Sequence, residues 1–193
     1  MKTTQTTQSG YTLVELAISV AILSVLIVAG LLGVQSILTS GKVNDQIKTV
    51  AKLTAKASAL FASTGTSGVT QKQMIQVGAW DASKANGEVV TSSFGSTETI
   101  ASNANVIGSM PAGSGFVYTI KAVPSAACSD LATGLAGFVF ALNVQSVSGS
   151  AIPTDWAKSG GAVKVPGNAN ITFNNMATSC SNANTDFYLA VKP

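Results

Sequence analysis

Histidine and arginine are both absent from this sequence, and only 10% of its residues are Asp, Glu, Lys or Arg. Typical soluble domains carry roughly 25% charged residues, so the shortfall is large. Without histidine there is no imidazole base, no imidazole zinc ligand and no Ser-His-Asp relay, and enzyme chemistry would fall to carboxylates or lysines alone. Basic side chains, all of them lysine, exceed acidic ones by 11 to 8, a net charge of +3. The lysines are scattered, which is no footprint for a nucleic acid, and none is expected as a specific partner. The acidic residues Asp81, Glu88, Glu98, Asp130, Asp155 and Asp186 stand apart without Ca²⁺-loop spacing. Each is expected at a solvated loop or cap, and no metal or cofactor is expected. Gly113-Ser114-Gly115 precedes a strand, so it does not form a dinucleotide loop, and no P-loop is present.

Cysteine is nearly absent too. Cys128 and Cys180 are too far apart for a CxxC redox or metal motif. One structural disulfide formed in an oxidising compartment is expected, with two unrelated buried thiols as the alternative.

What the sequence does have is one long apolar run. Tyr11 to Leu38 reads YTLVELAISVAILSVLIVAGLLGVQSIL, 28 residues with Glu15 as the one ionisable side chain. A helix of this length spans about 42 Å, more than the roughly 30 Å of a bilayer core. A secretory signal would have a shorter apolar stretch followed by a small-residue cleavage site, and neither is found. Instead the polar leader MKTTQTTQSG ends in Gly10, directly against the apolar run. A carboxylate about one turn inside an apolar span costs on the order of 2.5–3.5 kcal/mol at mid-membrane and less near the edge, so Glu15 needs a partner or a task.

Beyond Leu38 the pattern becomes amphipathic. Val43, Ile47, Val50, Ala51, Leu53, Ala57, Leu60 and Phe61 recur at helical spacing, and Lys48, Lys52 and Lys56 form another stripe. One helix over about 12–62 is therefore expected, with residues 39–62 packing on a globular domain. Residues 63–115 read as an irregular connection with a helical candidate at Gln71–Trp80. Strands are expected at Gly115–Val123, Gly137–Val147, Ala169–Phe173 and Phe187–Val191, and a short helix opened by Ser125 at Ser125–Thr133. The fold class is α+β: a long N-terminal helix of about 50 residues packed on a C-terminal antiparallel sheet. Trp80 and Trp156 suit either the core or a subunit contact.

The order of polar leader, Gly10, aromatic Tyr11, then Thr12, Leu13, Val14 and Glu15 at the fifth position of an apolar helix resembles the class III signal of type IV pilins. The resemblance continues in character to about Leu38. It implies a leader at 1–10, a helix at 11–62 whose residues 11–38 serve as membrane span and filament core, and a globular pilin domain at 63–193. It further implies cleavage after Gly10 by a prepilin peptidase, N-methylation of Tyr11, and pairing of Glu15 with the Tyr11 amine of a neighbouring subunit. The implied protein is a structural filament subunit, not an enzyme. Its implied partners are copies of itself, the peptidase, the inner membrane before assembly, and an inner-membrane assembly machinery with a separate ATPase. Adhesion, aggregation, motility or conjugation are the implied uses, in an extracellular filament. Cys128 and Cys180 would bound the C-terminal D-region; the ten-residue leader and aromatic Tyr11 lean towards the type IVa form, whereas Ala126–Thr133 is similar to the type IVb stretch, and a type IVb-like major pilin is favoured. A minor pilin, a type II secretion pseudopilin and a non-polymerising anchored periplasmic binding module are the alternatives. In pilins a proline usually loosens the mid-helix on assembly. None occurs here before Pro111, so Gly30 and Gly33 would serve that purpose or else allow close helix packing.

Overall fold

The computed structural model describes residues 12–61, 65–147, 152–156, 161–168 and 170–193. Two compact units divide the chain, Met1–Leu38 and Thr39–Pro193. Helix α1, Leu13–Phe61, runs without a break through Gly30, Gly33 and Gly41. Its first half is apolar and bare: Leu13 is 85% exposed and Ile37 73%. It is long and apolar enough to cross a membrane. Ser19 and Ser24 return their hydroxyls to the carbonyls of Glu15 and Ala21, so neither adds an unsatisfied donor to the apolar surface.

The second unit contains the rest of α1 and the elements α2 (Gln71–Gln76), β1 (Ala85–Asn86), β2 (Val89–Thr91), β3 (Thr97–Ser102), β4 (Phe116–Pro124), α3 (Ser125–Leu135), β5 (Ala141–Ser146), β6 (Ala162–Lys164), α4 (Phe173–Cys180) and β7 (Asn184–Val191). Among the described residues seven strands form one sheet in the order β1-β2-β3-β4-β7-β5-β6, and its pairings are antiparallel. The last strand therefore lies between β4 and β5, in the interior of the sheet.

Alternation along the strands builds two cores. Phe116, Tyr118 and Ile120 of β4, Phe187, Leu189 and Val191 of β7, and Leu142 and Val144 of β5 face Val43, Val50, Leu53 and Ala57 of α1 and Leu131 and Leu135 of α3. The intervening residues Val117, Tyr188, Ala190 and Ala141 meet Ile107, Met110 and Trp156 on the opposite face. Both faces of β7 are thus covered, which is why Thr185–Val191 is buried throughout rather than at alternate positions. Trp80 and Trp156, at 4% and 3% exposure, are core residues.

Several sequence expectations need correction. Phe173 begins a helix instead of ending a strand: the Thr172 N–H donates to Val163 O at 2.6 Å, tying this segment to β6, and α4 departs from there. Ala169 lies outside the described residues. The connection after α1 is more ordered than its Gly and Ser content suggested, since it holds β1, β2 and β3, while β6 was not foreseen. The strands β1, β2 and β6, of two or three residues, are too short to show a period, and they owe their form to the longer strands they lead to, β1 and β2 to β3 and β6 to β5. Helix α2 ends at Gln76 because Val77 caps it and Gly78 adopts φ 72°. Its start is a capping box, in which Thr70 Oγ1 accepts from the Gln73 N–H and Gln73 Oε1 from the Thr70 N–H. Helix α3 begins at Ser125 as expected, with Pro124 as its N-cap and no side-chain cap bond, but runs on to Leu135 rather than ending at Thr133. Leu60 is 41% exposed, outside the apolar stripe.

Candidate functional site

The first turn of α1 carries the residue that the sequence marks most strongly. Thr12 closes that turn: its carbonyl accepts from the Leu16 N–H at 3.1 Å and its hydroxyl from the Glu15 N–H at 3.3 Å. Orphan amides at a helix start must be satisfied within an apolar surrounding, and a threonine cap supplies one acceptor. Glu15 sits in this turn, exposed, where the positive end of the helix dipole favours a carboxylate. Gly10 and Tyr11, the expected cleavage and methylation positions, lie outside the described residues.

The lower half of α1 is tied to the globular unit by a buried polar network. Glu98, on β3, is 1% exposed, and Gln46, on α1, is fully buried. Glu98 Oε1 accepts from Gln46 Nε2 at 2.6 Å, and Oε2 accepts from Trp80 Nε1 at 2.7 Å. Gln46 Nε2 also donates to the Tyr118 hydroxyl at 3.2 Å, while Gln46 Oε1 accepts from the Ser93 N–H at 3.1 Å. Helix, loop and two strands are thereby joined through one carboxylate with neutral donors. Such a group is tolerated in a core because both of its oxygens are occupied. Glu98 was expected at a solvated position, and the structure overturns that. The alternation of β3 puts it on the same side as buried Ile100, and that spacing is the signal that could have found it. Gln46 likewise falls three residues after Val43 and four before Val50, within the apolar stripe.

Asp186 was also expected in solvent and is also buried, at 1% exposure. It faces a bulge in β4, where the register shifts between Ile120 and Val123 and Ala122 has φ 48°. One carboxylate oxygen accepts from the Ala122 N–H at 2.9 Å, so the acid satisfies an amide that the bulge removes from the ladder. Asp81, Glu88, Asp130 and Asp155 are exposed, as expected. Among the described residues no group of three His, Cys, Asp or Glu side chains is placed to hold a metal ion.

Burial pushes the Tyr118 phenol well above its ordinary value of 10.0, and adjacent Glu98 adds to the rise. Tyr188 is raised by burial and by Asp186. A raised folded value means that the native state keeps its proton after the unfolded chain has lost it. The stabilisation is complete below about pH 10 and declines as pH rises above it. Thermal melts of the detergent-solubilised chain, read by near-ultraviolet circular dichroism, are expected to show a falling Tm above about pH 10 that Tyr118→Phe reduces. Glu98→Gln keeps the shape but turns an amide NH₂ towards donors. It should cost about 1–3 kcal/mol in urea unfolding.

Cys128 of α3 and Cys180 of α4 are joined, with Cα atoms 5.5 Å apart and 52 positions between them in sequence. The disulfide lies in the core, with Cys128 fully buried and Cys180 9% exposed. Thr185 of β7 directs its hydroxyl at Cys128 Sγ, 3.6 Å away, and at the Val123 carbonyl.

A long apolar helix leads into an amphipathic half, an antiparallel sheet and a disulfide across the last third, and solved structures share the fold over 78% of the chain. The profile of the prokaryotic N-terminal methylation motif matches residues 5–31. TcpA, a type IV pilin from Vibrio cholerae El Tor biotype, is similar with a TM-score of 0.58 at 16% identity, over 78% of this chain and 98% of that one. The type IVb pilin from Salmonella typhi is similar with a TM-score of 0.53 at 15% identity, over 78% and 99%. No curated protein sequence matches. The chain therefore has the type IV pilin fold and carries a methylation motif at its start.

Proposed function

We propose that this protein is a structural subunit of a type IV pilus filament. A prepilin peptidase cuts it after Gly10, and Tyr11 becomes N-methylated. Residues 1–10 are then the leader, 11–62 the assembly helix and 63–193 the pilin domain. The observation that carries this reading is the exposed apolar first half of α1, residues 13–38, whose one charge, Glu15, lies in its first turn. Such a surface has two homes, a bilayer and a bundle of identical helices. The precursor uses the first, in the inner membrane, and the filament uses the second. In the filament Glu15 pairs with the Tyr11 amine of the next subunit, each removing the other's desolvation cost and setting the axial stagger. The likeness to the Salmonella type IVb pilin favours a type IVb-like major subunit, supporting adhesion, aggregation, motility or conjugation. Extraction from the membrane is the work of a separate ATPase in the assembly machinery.

Intact mass and N-terminal sequencing of sheared extracellular material test this. The expected chain begins at N-methylated Tyr11 and holds oxidised Cys128 and Cys180. A protein missing from that fraction, with a membrane form that still begins at Met1, would leave an anchored module that never polymerises.

A further inference from the structure

We propose that residues 81–96 form an acid-releasable strap over α1, locked by Asp45 of the helix to Lys84 and Ser93 of the strap. The segment contains β1, β2 and the turn that leads to β3, and its apolar hold is slight. Val90 is its one fully buried aliphatic side chain, helped by partly buried Ala85 and Phe94. Its pairing to β3 consists of Val90 with Glu98 and Thr91 with Thr97.

Polar ties do most of the holding. Lys84 Nζ donates to Asp45 Oδ2 at 2.6 Å, to the Thr49 hydroxyl at 3.2 Å and to the Ser93 hydroxyl at 2.9 Å. The Ser93 hydroxyl donates to the same Asp45 oxygen at 2.6 Å. Lys52 of α1 pairs with Asp81 at 2.7 Å, and Lys72 of α2 approaches Glu88 at 3.9 Å. These three ion pairs between described residues all have one end in the strap and the other on a helix. Lys84 is the most enclosed member, its side chain 17% exposed, so it loses most if its carboxylate partner is neutralised.

The Asp45 lock rests on one carboxylate oxygen that both Lys84 and Ser93 bond, so its protonation weakens both ties together. Hydrogen bonds from Lys84 and then Ser93 hold the Asp45 carboxyl below its ordinary value of 3.8, and the charges of Lys84 and Lys48 act the same way. A depressed folded value gives stabilisation that is present above the unfolded value and lost as pH falls through the folded one. The other groups facing this region are Gln46 and, through it, Glu98 and Tyr118. Glu98 and Tyr118 belong to the buried network beneath the strap, whereas Gln46 also ties the strap directly by accepting from the Ser93 N–H at 3.1 Å, a bond without a titrating group. The strap is accordingly closed at neutral pH and loosens as pH falls through the depressed Asp45 value, before the interior strands β4 and β7 open.

Hydrogen exchange on the full chain in detergent micelles, corrected for the intrinsic pH dependence of exchange, reads this directly. Between pH 7 and pH 3 the amides of 81–96 should lose protection while those of β4 and β7 keep it. Asp45→Asn should speed exchange in 81–96 about fivefold at pH 7 and flatten its pH profile. Ser93→Ala, which alters only the strap side, should move it in the same direction. In a Trp156→Phe background, Trp80 emission should shift to the red with the same profile, because Trp80 directly precedes the strap. Loss of protection in the strap and in β4 and β7 together, or an Asp45→Asn chain indistinguishable from wild type at pH 7, would overturn the proposal.

Discussion

Glu15→Ala should leave the protein in the membrane fraction and reduce its extracellular form at least tenfold, a factor worth about 1.4 kcal/mol per subunit contact. Insertion cannot be the step that fails, because removing a carboxylate from an apolar span makes insertion more favourable. On the proposed function, what the variant lacks is the group that would meet the amine at the start of a neighbouring helix. Among apolar helices, association has no hydrophobic drive beyond what lipid already provides, so packing and polar pairs decide it. Glu15→Gln keeps a hydrogen-bond acceptor without the charge and should fall between alanine and wild type. Immunoblots of sheared and membrane fractions, from cells expressing each variant alone and beside the wild-type chain, make the measurement. An anchored module that does not polymerise would have the same distribution with either residue.

The second large effect concerns the disulfide. Replacing Cys128 and Cys180 by serine should lower the unfolding free energy by about 4 kcal/mol, the value for closing a loop of this length in the chain-entropy picture. Topology adds to the consequence. Pro124 of β4 pairs with Asn184 at the start of β7, and the two cysteines lie just beyond that pair on either side. The Ser125 N–H also donates to Ala183 O at 3.1 Å. The bond thus holds the start of the last strand at the slot it must enter between β4 and β5. Without it, a central strand contributed by the final residues has to find both neighbours unaided, and folding yield should fall along with stability. Urea titrations followed by far-ultraviolet circular dichroism, with and without reductant, measure the first effect. A change below about 1 kcal/mol would mean that the apolar core alone holds β7 in place.

Sequence alone determined the features that depend on local periodicity. A run of apolar residues long enough to cross a bilayer, with one carboxylate, was legible as a single helix, and its continuation as an amphipathic stripe followed from 3.6-residue spacing. The strands β4, β5 and β7 were legible within a few residues because they are long enough to show β-branched and aromatic enrichment. Tertiary structure decided what depends on distant partners. Glu98 and Asp186 look like any solvated acid until β3 alternates one inward and a bulge in β4 gives the other an amide to bind. The strands β1, β2 and β6 are too short to declare themselves and are made by the sheet they join. The central place of β7 could not be read from its order in the chain, since adjacency in a sheet is fixed by which faces two cores must cover. A helix records its environment every turn in its own sequence; a sheet distributes that record over strands far apart in the chain.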